Sequence, residues 1–283
     1  MKTRPDTLLG RLARAARPSR PWLHVEASDW WNRVLLAGGA RPRPVDLAGV
    51  NLTGADLTGA DLAGADLAHA HLTGAHLTGA TLAVADLAGA DLTYADLTGA
   101  TLAHATLAHA DLGHADLGRA HLTHANLTHA NLTYADLTGA HLNSATLTRA
   151  DLVRADLTGA HLTDADLTGA TLVGATLAGA DLKGANLTGA DLKGADLTSA
   201  DLTDADLTSA YLTDADLTDA DLTSADLTSA YLINVTWSVQ TRWPDALAAV
   251  MLERSVPIGG GQYRVQGSGN SEADLSVPPV PVS

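Results

Sequence analysis

The chain has 283 residues, 46% of them hydrophobic, no cysteine, no phenylalanine and a formal charge of -15. Disulfides and thiolate metal sites are therefore excluded, and no apolar run reaches the roughly 18 residues that a membrane span needs. The Leu8-Leu9 pair is followed at once by Gly10 and Arg11, which argues against an export signal, so a cytoplasmic protein is expected.

Charge is shared unevenly along the chain. Residues 1–44 carry nine Lys/Arg against three acids, a net +6. Thr7 to Arg17 has the spacing of a helix, with Leu8, Leu12 and Ala15 on one side and Arg11, Arg14 and Arg17 on another. A second helix is expected from Ser28 to Ala37, stopped by Gly38-Gly39, with Trp30 and Trp31 available to pack against the residues after position 45. Residues 1–44 are read as a basic helical cap. The arginine face has the character to touch anionic lipid or nucleic acid, but a solvated helix face explains it as well.

From Leu47 to Leu232 a leucine recurs at every fifth position, 38 times without a break, and alanine sits two residues before it from Ala55 to Ala230. A period of five fits neither a helix at 3.6 nor a strand at 2. It requires a repeat architecture in which the chain turns after each leucine and winds into a tube. Ala and Leu are separated by one residue, so both point inward while the residue between them points out. The residue after each leucine shows how many units close a turn: Ala48, Thr53, Thr58, Ala63, Ala68, Thr73, Thr78, Ala83 and Ala88 alternate in pairs with a 20-residue period. Four units per coil result, and Tyr211 and Tyr231 at 20 and Tyr94 and Tyr134 at 40 residues agree. Leu47, Leu127, Leu187 and Leu232 are expected in the core, each contributing about 1.5–3 kcal/mol before entropy.

Segments such as Ala55-Asp56-Leu57-Thr58-Gly59 and Ala215-Asp216-Leu217-Thr218-Asp219 resemble the pentapeptide-repeat proteins. The resemblance implies an all-β fold, a right-handed quadrilateral parallel β-helix of about 9.5 coils over residues 45–234, roughly 45 Å long at 4.8 Å per coil. An open solenoid end would recruit another chain, so short helical caps are expected at both ends. Residues 235–266 form the second cap: Trp237 and Trp243 precede Pro244, a residue suited to a first helical position. Ala246 to Arg254 offers Leu247, Val250 and Met251 as a packing stripe, and Tyr263-Arg264-Val265 reads as a short strand. Residues 267–283 are read as a disordered tail.

The outward position before leucine holds Asp in 21 units and Asn in four (Asn51, Asn126, Asn131, Asn186); His, Thr and Tyr fill the rest. A short carboxylate there can bond nearby backbone N–H groups at the corner, yet Asn would do so without the repulsion. Residues 45–234 hold 25 Asp and five bases, a net -20. Acid is densest at Asp201, Asp204, Asp206, Asp214, Asp216, Asp219, Asp221 and Asp226, and Asp201, Asp206, Asp216, Asp221 and Asp226 are the candidate partner-binding residues. Eleven of 12 histidines lie on the repeat: His104, His109, His114, His124 and His129 at corners, and His121, His141 and His161 stacked on one face. Near neutral pH such a set gains charge on acidification. His121 and His124 are near enough to consider for a metal, but variable exposed positions account for them equally.

Catalysis finds no support: no nucleophile elbow, phosphate loop or HExxH is present, and Gly259-Gly260-Gly261 lacks a strand–glycine–helix setting. Carboxylates on a convex surface lack the cleft that acid–base chemistry uses. Asn126-Leu127-Thr128 arises from the repeat and carries no message about glycosylation, and the threonine columns are too interrupted for ice. No cofactor, metal or catalytic residue is expected. The reading is a bacterial, non-enzymatic scaffold presenting an acidic rod to a protein partner, without direct nucleic-acid binding by the rod and with room for a homodimer. The resemblance adds a sharper alternative, since some family members imitate duplex DNA, occupy DNA gyrase and confer quinolone resistance. This chain shares rod and charge with them but has leucine alone at the centre, where they mix in phenylalanine, and its C-terminal helix is short.

Overall fold

The structure, a computed structural model, describes residues 45–267. The two N-terminal helices expected within residues 1–44, and the tail beyond Gly267, lie outside the described residues.

One unit shows how the tube is held. In Ala135-Asp136-Leu137-Thr138-Gly139, the Leu137 N–H donates to the Asp156 carbonyl of the next coil at 2.7 Å, and Gly139 N–H donates to Thr158 at 3.0 Å. In the other direction Asp136 N–H donates to the Ala115 carbonyl at 3.0 Å. The corner is closed locally, because Ala140 N–H donates to the Leu137 carbonyl at 2.9 Å. Gly139, third in that four-residue turn, has φ +63°, as a type II turn requires. The pattern repeats along the rod, and parallel bridges join residues 20 apart from Asp46↔Asp66 to Asp216↔Thr236.

The leucine of every unit, and the alanine from Ala55 to Ala230, meet on the axis in a single hydrophobic cluster, with Val45 and Val50 packed against it at the first two units. Leu47, Leu127 and Leu187 are wholly buried and Leu232 nearly so. Each coil rests only on its neighbours, and stability accumulates coil by coil.

The repeat ends where the spacing fails. The last bridge pairs Asp221 with Arg242, 21 residues on. The displaced residue, Thr241, is buried; its hydroxyl donates to the Leu217 carbonyl at 2.8 Å and accepts the Ser238 N–H at 3.0 Å. A three-stranded antiparallel sheet closes this end in the order β1–β3–β2: β1 Thr236–Ser238, β2 Ser255–Gly259 and β3 Gln262–Val265. Helix α1 spans Asp245–Glu253 and buries Leu247 and Met251, with Val250 half-buried. Pro244 lies just before the first turn, with an extended ψ of 141°, and its carbonyl accepts the Leu247 and Ala248 N–H groups. It caps the helix instead of occupying the first helical position. Trp237 stacks on Tyr263 at 4.7 Å, meets Trp243 edge-on at 5.9 Å and donates from Nε1 to Ser255 Oγ at 2.9 Å. Strand β2 has no counterpart in the sequence pattern, because Pro257 and Gly259 break it. Gly260 and Gly261, at φ +63° and +81°, form the two-residue turn into β3 that such a hairpin favours.

All 38 corner residues have positive φ, and 22 of them are not glycine. Val84 is the most strained of these by residue type, a β-branched side chain at φ 60° that is 66% exposed and packs little in return. Val84→Gly is expected to stabilise the rod by about 1 kcal/mol, read as a higher urea midpoint at unchanged slope.

Candidate functional site

The 20-residue register assigns every outward residue to one of four columns. Starting from Asp46, Asn51, Asp56 and Asp61, these are named faces A, B, C and D in the order the chain visits them. Face A carries Asp206 and Asp226, bridged to each other; face D carries Asp201 and Asp221, likewise bridged; face C carries Asp216. The five candidate residues therefore span three consecutive faces instead of forming one patch. Asp204 occupies the corner between D and A, and Asp219 the corner between C and D. Both belong to the same acidic surface, and counting by twenties selects them. Face B interrupts it with the Tyr211–Tyr231 stack at 4.7 Å and Lys193 over Tyr211 at 4.9 Å. Between residues 201 and 226 there is no Lys or Arg.

What Asp does in the repeat is dictated by the backbone. Four of the five N–H groups in a unit donate to carbonyls, as in the Asp136 unit. The fifth belongs to the residue after leucine. In all 25 units headed by Asp or Asn, that N–H donates to the side-chain Oδ1, at 2.8–3.3 Å. Where threonine comes after leucine its hydroxyl joins the same acceptor, as Thr98 does with Asp96, or reaches the carboxylate of the next coil, as Thr78 does at 2.6 Å. One Oδ is thus committed to the fold, and the second is available to hydroxyls or solvent.

These bonds keep the carboxylates ionised. Partial burial opposes the charge on Asp91, Asp96 and Asp166, but hydrogen bonds from threonine hydroxyls and N–H groups outweigh it and hold their pKa values below the ordinary range. At Asp206 the Thr208 hydroxyl is the main cause of a downward shift. Asp221 is also lowered: burial is offset by Thr223 and by Arg242, whose guanidinium lies 3.0 Å away. At the acidic end the ionised forms of Asp206 and Asp221 are thus favoured.

The histidines form ladders. His104 stacks on His124 at 4.9 Å and His109 on His129 at 5.0 Å along two corners. His121, His141 and His161 form a continuous column on face D at 4.8 Å spacing. His121 and His124, the pair with metal-ligand spacing in the sequence, belong to separate ladders. Among the described residues no group of three or more His and carboxylates is arranged to hold a metal ion. Nor is any helix among them long and apolar enough to cross a membrane.

The repeat, its register and its corners match a family description, pentapeptide repeats, in eight copies over residues 46–83, 85–123, 120–159, 160–199 and 200–236. The chain belongs to the pentapeptide-repeat family. Among solved structures, this pentapeptide-repeat protein is similar to HetL, a family member involved in heterocyst differentiation regulation from the cyanobacterium Nostoc: 41% identity over 72% of this chain and 93% of that one, TM-score 0.53. That likeness carries with it the family's right-handed β-helix. A second Nostoc pentapeptide-repeat protein, alr5209, is 42% identical over 32% of this chain and 74% of its own, TM-score 0.32. QnrB1, a plasmid-mediated fluoroquinolone resistance protein, is 19% identical over 67% of this chain and 92% of its own, TM-score 0.32. No curated protein matches the chain.

Two outcomes are expected from these bonds and ladders. Asp136→Ala leaves the Thr138 N–H without its 2.8 Å acceptor and is expected to cost about 1 kcal/mol, whereas Asp136→Asn keeps Oδ1 and is expected to be near neutral; urea unfolding of both variants reads the difference. His141 has a pKa lowered from 6.5 by burial and by its two stacked neighbours. The folded state therefore binds fewer protons than the unfolded chain once pH falls below 6.5, and stability falls with it until the lower folded pKa is passed. Thermal unfolding from neutral pH to about pH 5 is expected to drop less in His141→Asn than in the native protein.

Proposed function

We propose that this pentapeptide-repeat protein is a cytoplasmic, non-enzymatic scaffold whose acidic rod binds a protein partner through the coils between Asp201 and Asp226. The observation that carries the reading is the continuity of acid over faces C, D and A, from Asp216 through Asp219, Asp201, Asp221 and Asp204 to Asp206 and Asp226, with no Lys or Arg between residues 201 and 226 and Arg242 paired to Asp221 at the end of face D. The fold alone needs only one oxygen per side chain, and asparagine supplies it at Asn126, Asn131 and Asn186. Charge retained beyond that need favours a cationic partner surface by electrostatic complementarity.

Mimicry of duplex DNA, with DNA gyrase as the partner, is the specific alternative. Its support is charge density: a net -20 over residues 45–234 on a rod of roughly 45 Å gives about one charge per 2.3 Å, against about 1.7 Å for duplex DNA.

The variant Asp201→Asn/Asp206→Asn/Asp216→Asn/Asp221→Asn tests both. It is expected to fold with stability within about 1 kcal/mol of the native protein, because every Oδ1 acceptor survives and only the exposed Asp221–Arg242 pair is lost, and to lose its partner in parallel affinity capture with partner identification by mass spectrometry. Equal retention of the same protein by both baits would overturn the charge-driven reading. For the alternative, the native chain at micromolar concentration should inhibit gyrase supercoiling and the variant should not; a native protein without effect rejects gyrase.

A further inference from the structure

The corner between faces B and C carries a ladder of a different kind from the acidic end. Gly54, Gly74, Tyr94, His114, Tyr134 and Arg154 succeed one another at 20-residue spacing. Tyr94 stacks on His114 at 4.9 Å and 9°, and His114 on Tyr134 at 5.0 Å and 2°. The far end is closed by a cation: the Arg154 guanidinium lies 5.7 Å from the Tyr134 ring centre and donates to the Tyr134 hydroxyl at 2.9 Å. The near end is open. Gly74 stands where the next rung would be, and even a Cβ added there would meet nothing within 4 Å. Tyr94 is 65% exposed, with one ring face covered by His114 and no ring or cation of the described residues over the other.

The surroundings of that face select its occupant. Asp91 and Asp96 stand on the two faces that meet at this corner, each held by threonine hydroxyls of its own and the preceding coil. Acid continues along both: Asp111 and Asp151 on face B, and Asp116, Asp136 and Asp156 on face C. Anionic ligands, nucleic acid and acidic lipid are repelled. A planar cation is attracted twice, by the ring quadrupole and by the flanking carboxylates. Arginine suits a stacked position better than the compact, strongly hydrated ammonium of lysine.

We propose that the open face of Tyr94 receives an arginine side chain from an extended basic segment of a partner protein, reproducing at one end of the ladder what Arg154 does at the other. This surface lies several coils from the Asp201–Asp226 end and stands independently of it.

The probe is the blocked peptide acetyl-Gly-Arg-Gly-Arg-Gly-Arg-Gly amide, titrated into the full chain by NMR with aromatic resonances as the readout. Its citrulline and lysine counterparts serve as the neutral and ammonium controls. Binding no weaker than about 1 mM is expected, with Tyr94 the ring that shifts most. The citrulline peptide and Tyr94→Ala should each weaken it by about fivefold or more, and Tyr94→Phe should retain it. Gly74→Arg, placed at a corner whose positive φ other side chains already adopt, should cover Tyr94 from within and weaken the peptide as much as Tyr94→Ala does. The inference is overturned if the native chain shows no binding at that concentration, or if citrulline or lysine replaces arginine without loss. It also fails if Tyr94→Ala binds like the native chain, or if the quadruple Asn variant of the acidic end loses as much as Tyr94→Ala, since diffuse charge would then account for the affinity.

Discussion

Each corner is closed by one hydrogen bond to the carbonyl of the leucine three residues before, in a turn geometry that places a residue at positive φ once in every five. Glycine meets that demand at 16 of 38 corners; the remaining 22 carry side chains that L-residues adopt there only at a cost. Burial of a leucine and an alanine per unit, plus the lateral bonds to the coils above and below, offsets the cost. Where the corner side chain is an aromatic or imidazole ring, stacking on the coil above or below returns part of it. The corner thus governs both core and surface: it points leucine inward and sets corner residues outward in columns one coil apart.

The same geometry explains why an acidic rod is stable at neutral pH. Aspartates roughly 4.8 Å apart in a column repel, yet each accepts an N–H that has no backbone acceptor, and many accept a threonine hydroxyl as well. These bonds favour the ionised form, so the pKa values that move at Asp91, Asp96, Asp166, Asp206 and Asp221 move down. The rod's charge is built into its fold one side chain at a time. The excess of Asp over Asn, rather than any single residue, is what the proposed partner binding draws on.

Much of the fold is legible in the amino-acid order because a period of five has few physical solutions, and because the Ala/Thr alternation after leucine exposes the 20-residue register. The core leucines and the His121–His141–His161 column come from counting alone. Local density of acid along the chain is a poorer guide to the surface: it groups Asp216 with Asp206, which lie on different faces, and does not separate Asp204 and Asp219, at the corners flanking face D, from Asp214, at the corner between faces B and C. Beyond Leu232 the repeat stops and its logic stops too. Strand β2 runs through Pro257 and Gly259, residues that ordinarily argue against a strand, and is held by pairing to Tyr263 and Arg264, contacts that no local pattern announces. Arg154 is placed one coil beyond Tyr134 by the same 20-residue register, but its hydrogen bond to the Tyr134 hydroxyl is a side-chain contact that the spacing alone does not specify.

A tube assembled from interchangeable quarters has a geometric freedom that globular domains lack. Removing or adding one unit changes its height by only about 1.2 Å and leaves the leucine axis continuous. It nevertheless swings everything downstream by a quarter of a revolution about that axis. The bearing of the Tyr94 corner relative to the carboxylates near Asp221 is therefore set by the count of units between them. A lineage could re-aim the two surfaces against a differently shaped partner without touching a residue of either.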